Sequence, residues 1–308
     1  MSAFILHHYP PSPVAEKIRK IFGIKGIDWV SVEENRLPPR PELFAMTGGY
    51  RRIPVLQIGA DIYCDTQCII REIEQRVPEP TLFPIGIGGM PFGLSRWTDG
   101  ELFTLAFKAV LAPVSDNLPA DFVADRARLY LGSGYDMAKE AADMPHTLAQ
   151  LRAQFGWVDA RFASGARFIL GDQPGLPDVL VWYVYWFLRE RYQGAAGLFE
   201  EFPALREWAA RMDDFGHGGM TVMSCADALA IARAAKPTSP AVEDPRDPEG
   251  FRTGMAVTIE PLTASGEVPI AGKLHAIGRD VVALAMSNER AGDVVVHFPR
   301  VGYRLRQA

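Results

Sequence analysis

Hydrophobic and polar positions follow two rhythms along this chain, and the change of rhythm divides it into three parts. Residues 3–7 (AFILH) form a short apolar run closed by Tyr9-Pro10-Pro11, the pattern of a buried strand ending at a turn. Ser12-Pro13 then opens a helical period. Ser is a favoured N-cap, and Pro at the first helical position gives up an N–H with no intrahelical partner anyway. Val14, Ile18, Ile21 and Phe22 share one face, and Gly23 and Gly26 stop the helix. Residues 28–33 (DWVSVE) alternate as a second strand. A Pro-rich stretch at 37–42 and a loop at 47–50 come next. Residues 54–58 and Ile62-Tyr63 read as a hairpin around Gly59-Ala60-Asp61, and Asp65-Thr66 begins a helix running to about Arg76.

The order is thus β-α-β, then β-β-α. A helix between two strands implies a right-handed crossover and a parallel pair. That order within residues 1–84 is the core of a thioredoxin-like α/β domain. From 94 to 236 the period is helical almost throughout, with segments near 94–112, 124–162, 178–192, 203–212 and 224–235, which predicts an all-α domain. Residues 236–250 hold four prolines and read as a stiff linker. The last part, 251–308, returns to short alternating runs at 255–260, 268–277, 281–286, 294–298 and 303–305. Turn signals separate them at Gly266, 278–280, 288–292 and 299–302. A small all-β domain, barrel or sandwich, is expected there.

Composition adds mainly exclusions. With 308 residues, 48% hydrophobic and 22% charged, the chain has room for two domains and a small third. A net charge of −5 gives no basic face for phosphates, so no nucleic-acid partner is expected. The most apolar run, 179–188 (VLVWYVYWFL), is half a membrane span and reads as a buried helix. No secretory signal is expected from the opening residues. Cys64, Cys68 and Cys225 cannot all pair and show no disulfide framework, which fits a reducing cytoplasm. Cys64 and Cys68 read as core cysteines. His7 and His8 are neighbours on a strand and point to opposite faces, so they cannot chelate together. His146, His217, His275 and His297 are scattered, and no metal site is expected.

Candidate chemistry gathers in the first part. Ser12 places a hydroxyl at a helix start, among unpaired N–H groups and the positive end of the dipole, where a thiolate is stabilised. The plainer alternative is an N-cap. Arg51-Arg52-Ile53-Pro54 puts a proline at a strand start, an ordinary opening residue or the site of a cis bond. A cis bond would turn the Ile53 backbone outward to pair with an extended peptide ligand. Asp65 and Thr66 can cap their helix, or accept an ammonium and donate to a carboxylate.

In this order the three motifs resemble the glutathione transferase superfamily. Ser12 falls on the family's Ser-Pro position, Arg52-Ile53-Pro54 on its basic-x-Pro segment with a cis-proline, and Asp65-Thr66 on its acidic-Ser/Thr pair. Asp here is one methylene shorter than the usual Glu. Residues 168–178 resemble the family's capping motif before its central helix, with Gly175 in place of the usual Ser or Thr and Asp178 at the position where the family typically buries an Asp. Residues 202–212 resemble the helix after it. The likeness spans about residues 3 to 235 and leaves out the β-rich tail.

It implies glutathione as co-substrate, activated as a thiolate by Ser12 for attack on a small hydrophobic electrophile. Tyr9 is the competing activator, because some branches use a Tyr just after the first strand. It also implies a homodimer, and an electrophile pocket between the first and helical domains. Trp97, Phe103, Phe107 and Trp182 are candidates for that pocket, against the alternative of core packing. Thiol–disulfide exchange is disfavoured, because the helix start reads Pro-Pro-Ser-Pro and carries no cysteine. A non-catalytic glutathione-binding or scaffolding protein on the same fold is the alternative.

Overall fold

The N-terminal apolar run and the helical period after it become β1 (Phe4–His8) and α1 (Pro13–Lys25) in the computed structural model, which describes residues 3–263 and 267–308. Next come β2 (Trp29–Glu33), α2 (Pro41–Thr47), β3 (Val55–Ile58), β4 (Asp61–Cys64) and α3 (Thr66–Arg76). β1 runs parallel to β2 and antiparallel to β3, which is antiparallel to β4. Helix α2 lies in the Pro-rich stretch that shows no period in sequence. Pro41 occupies its first turn, where proline is tolerated, and Gly48 ends it in the left-handed region at φ 69°. At seven residues it is too short to display a period.

The chain then enters a helical unit, residues 77–217 together with 19–25. It holds α4 (Met90–Arg96), α5 (Phe103–Leu111), α6 (Ala120–Leu131), α7 (Met137–Ala142), α8 (Met144–Ala163), α9 (Leu176–Arg191), α10 (Ala195–Phe199) and α11 (Pro203–Asp214). A π-helical stretch, Trp97–Leu102, joins α4 to α5. Helix α9 is buried on almost every side from Leu176 to Leu188, as its all-apolar sequence requires. Aromatic rings knit it to its neighbours. Phe162 of α8 stacks on Trp208 of α11 at 5.1 Å, and Trp208 meets Trp182 of α9 edge-on at 6.2 Å. No helix among the described residues is long and apolar enough to cross a membrane.

Beyond residue 217 the chain returns to the first unit. β5 (Met220–Met223) and α12 (Cys225–Ala234) belong to the first unit, not to the helical one, and β5 pairs in parallel with β2. The tail forms the expected five strands: β6 (Ala256–Pro261), β7 (Ile270–Ile277), β8 (Val281–Asn288), β9 (Gly292–Pro299) and β10 (Tyr303–Gln307). The turn expected at Gly266 lies outside the described residues. This small all-β part also joins the first sheet. β9 pairs in parallel with β4, giving one ten-stranded sheet in the order β10-β6-β7-β8-β9-β4-β3-β1-β2-β5. One core runs across the seam, with Leu43, Met46, Val55 and Ile62 packed with Ile270, Leu284, Val296 and Phe298. The sheet also curls. β10 lies at its far edge, yet the turn after β9 brings Tyr303 back to within 5.8 Å of the Phe298 ring.

The Pro-rich linker at 236–250 is anchored to β4. Asp61, 1% exposed, accepts from Thr238 N and Oγ1 (both 2.8 Å) and from Ser239 Oγ (2.6 Å), with His297 Nε2 at 3.5 Å. Burial opposes ionisation of this carboxyl, but the bonds from His297, Ser239 and Thr238 outweigh it and hold its pKa well below 3.8. A folded-state pKa below the unfolded one stabilises above the unfolded value and ceases to do so as pH falls through the folded one. Stability in urea is therefore expected to drop as pH falls below about 4, with a smaller drop in Asp61→Asn. An equal drop in that variant would assign the effect to other carboxylates.

Candidate functional site

Strand register gathers the three sequence motifs at one end of the sheet. His7 of β1 pairs with Val55 of β3, and Val55 pairs with Cys64 of β4. Just past these three positions the chain leaves β1 toward Tyr9 and Ser12, enters β3 from Pro54, and leaves β4 into Asp65. Three separated motifs thereby meet because two antiparallel pairings share one register.

Ser12 is buried, and its Oγ accepts from Ala15 N at 3.2 Å, the N-cap bond of α1. Its own N–H donates to Tyr9 O at 3.0 Å, closing the turn that leads into the helix. Accepting that cap bond uses an oxygen lone pair, so it is chemically compatible with the hydroxyl donating elsewhere. Tyr9 is partly buried and packs against the core that the tail completes. The Ile53–Pro54 bond is cis.

Asp65 sits at φ 70°, a left-handed conformation that a non-glycine residue adopts at a cost of about 1 kcal/mol. Its carboxylate holds it there. Oδ1 accepts from Gln67 N at 2.9 Å, and the Tyr303 hydroxyl donates to Oδ2 at 3.3 Å. Tyr50 and Tyr303 bring their hydroxyls to 3.0 Å, so Tyr50 donates to Tyr303 as Tyr303 donates to Asp65. Burial first, and the Asp65 charge among the further causes, push both phenols well above their ordinary pKa, keeping them protonated. Thr66 is buried at the first position of α3.

Arg52 reaches into the tail. Its Nε donates to Glu267 Oε1 at 2.8 Å and Oε2 at 3.0 Å, and its Nη2 donates to Thr263 Oγ1 at 2.8 Å. Burial disfavours the guanidinium charge, but the Glu267 bonds outweigh it and raise the pKa further. Glu267, Tyr303 and Tyr50 are partners of the motif residues Arg52 and Asp65 that the sequence pattern misses, because contacts between distant segments leave no local signal. Arg40 is a fourth residue that it misses. Buried at 3% exposure, it donates to the carbonyls of Asn35 (2.7 Å), Arg36 (2.8 Å) and Arg51, tying the β2–α2 loop to the segment before Pro54.

Other expected features resolve into structure. His7 bonds Glu34 and Gln57, each at 2.9 Å, while His8 bonds Ser31 at 2.8 Å, so the two face apart. Burial raises the Cys64 and Cys68 thiols well above their ordinary pKa, leaving them unreactive. Phe103, Phe107 and Trp182 are buried. Phe103 stacks on Phe187 at 5.9 Å, Phe107 meets Tyr130 at 5.0 Å, and Lys20 Nζ lies 4.6 Å from the centre of the Trp182 ring. Trp97 donates from Nε1 to Gln154. These are packing roles within the helical unit.

Two family models match the chain: Glutathione S-transferase, N-terminal domain, over residues 6–81, and Glutathione S-transferase, C-terminal domain, over 121–211. The residues after 211 lie outside both. A GST-like protein of known structure from Pseudomonas syringae is 34% identical over 100% of both chains, with a TM-score of 0.82. A glutathione S-transferase from Rhodospirillum rubrum is 20% identical, covering 68% of this chain and 87% of its own, with a TM-score of 0.51. One from Methylobacterium radiotolerans, solved in complex with glutathione sulfonate, is 18% identical over 72% of this chain and 98% of its own, with a TM-score of 0.50. The last two show a shared fold. No curated protein matches the chain.

Proposed function

Since this chain belongs to the glutathione S-transferase family, we propose that it binds glutathione at the end of its sheet and presents the thiol as a thiolate to a small hydrophobic electrophile. The observation that supports this reading is the pairing of His7, Val55 and Cys64, which sets Ser12, the Arg52–Pro54 segment and Asp65-Thr66 at one end of the sheet. The groups of a γ-glutamyl tripeptide match the chemistry of these residues. The γ-glutamyl end, with its ammonium and carboxylate, meets Asp65 and Thr66. The cysteinyl backbone pairs with Ile53, and the glycyl carboxylate is left to Arg52.

Ser12 then donates its hydroxyl hydrogen to the sulfur. A free thiol has a pKa near 8.5, and lowering it by about 2 units takes about 2.7 kcal/mol. One hydrogen bond to a charged partner supplies about 1.5–3 kcal/mol. The N-terminus of α1 adds roughly 0.3–1 kcal/mol. The sum suffices without a general base.

Ser12→Ala is therefore expected to lower turnover about tenfold or more while leaving glutathione affinity nearly intact. The ultraviolet absorbance of bound thiolate should fall in parallel. Thiolate formation unchanged in Ser12→Ala but lost in Tyr9→Phe would transfer the role to Tyr9. A second reading, a binder without turnover, is favoured by the engagement of Arg52 and Asp65 with the tail. Glutathione binding without conversion of any of a panel of electrophiles would select it.

A further inference from the structure

The tail brings a carboxylate to the one cationic side chain that the proposed function assigns to the ligand. Glu267, only 6% exposed in its side chain, lies along the Nε–Nη2 edge of Arg52, with Nη2 to Oε2 at 2.5 Å. That edge is one of those with which a guanidinium grips a carboxylate through two parallel bonds. A ligand carboxylate and the Glu267 carboxylate cannot both take it. Their like charges would also meet in a partly buried place, where repulsion is weakly screened. Thr263 Oγ1, accepting from Nη2, holds the guanidinium toward the tail. At the Asp65 end the tail contributes the phenol of Tyr303, a neutral group, so the charge it adds falls at the Arg52 end.

We propose that Glu267 is a specificity-determining residue. It is an internal carboxylate that neutralises Arg52, so that the site favours γ-glutamyl-cysteinyl thiols whose third residue carries no free carboxylate, such as an amide, over glutathione itself. This rests on the proposed glutathione site and refines it. Glutathione enters by displacing Glu267 from Arg52, whereas an uncharged end leaves the pair in place. The tail thus changes the charge at the ligand's C-terminal end, while at the γ-glutamyl end it adds only a neutral hydroxyl.

Calorimetric titration of glutathione and of its glycine amide into the full chain and into Glu267→Gln tests this. The wild type is expected to bind the amide at least as tightly as glutathione. Glu267→Gln is expected to gain about tenfold for glutathione and under about twofold for the amide. An unchanged glutathione affinity in folded Glu267→Gln, or an equal shift for both ligands, overturns the proposal while leaving the glutathione site standing. Failure of both ligands to bind either protein removes the site reading and this inference together. Glu267→Asp, which withdraws the carboxylate by one methylene, applies the same test should Glu267→Gln not fold. It is expected to shift the preference toward glutathione by a few-fold, and no shift overturns the proposal.

Discussion

Replacing Asp178 with alanine is expected to destabilise the helical unit by at least about 3 kcal/mol, enough to shift its unfolding midpoint well below that of the parent. Asp178 has no exposed surface, and its carboxylate accepts from Ile169 N (3.0 Å), Gly175 N (3.0 Å) and Trp208 Nε1 (2.9 Å). Alanine leaves two buried donors and a half-buried one without this acceptor, at about 1–3 kcal/mol for each buried donor. The effect is concentrated because the N-cap of α9 is Gly175, which has no side chain to cap with. Asp178 therefore reaches back from the third helical position to do it.

The same carboxyl has a pH signature opposite in sign to that of Asp61. Burial lifts its pKa to about 6 against the pull of the three donors. A folded-state value above the unfolded 3.8 means that the contribution is complete below about pH 4 and lost as pH rises through about 6. Urea unfolding should show the parent losing stability over that window relative to Asp178→Asn. Parallel curves for the two proteins would mean that Asp178 ionises as easily folded as unfolded.

A chain stopped after Ala235 is expected to lose the first unit altogether. The stop removes Val257, Ile259, Ile270, Leu274, Val282, Leu284, Val294, Val296, Phe298 and Leu305 from a core they share with Leu43, Met46, Val55 and Ile62. Each large apolar side chain so buried is worth about 1.5–3 kcal/mol. Their sum exceeds the roughly 5–15 kcal/mol that separates folded domains from unfolded chains. The stop also strips β9 from β4, leaving an unpaired apolar edge that invites association with other chains, and removes the Thr238 and Ser239 bonds to Asp61. Amide exchange should find β1 to β4 unprotected, and the shortened protein should bind hydrophobic dyes. A soluble product that unfolds cooperatively and binds glutathione as the full chain does would mean that the tail folds on its own account.

The strands and long helices were legible because their signals are local. Periods of 2 and 3.6 residues, the Ser12-Pro13 opening and the Gly175–Asp178 cap can each be read within a dozen residues. The glutathione-family likeness came from three such local motifs in order. Helix α2 was hidden by its length and its prolines, and β5 by having only four residues. The joining of the tail to the first sheet was hidden for another reason. Strand pairing between β4 and β9 spans more than 200 residues of sequence, and alternation tells that a strand has a buried face without telling which strand lies beside it. For the same reason Glu267 and Tyr303 looked like ordinary members of a β-rich tail. Their place beside Arg52 and Asp65 comes from the curl of the completed sheet.

That long-range pairing bears on how the molecule is made. The first unit is assembled from residues 1–18, 26–76 and 218–308, with most of the helical unit lying between the second and third of these in sequence. Translation proceeds at about 5–20 residues per second, so the helical unit is fully polymerised seconds before the strand that must dock beside β4. During that interval the β4 edge of the nascent chain lacks its β9 neighbour and stays open to pairing with other strands. The arrival of β9, far along the chain, ends it.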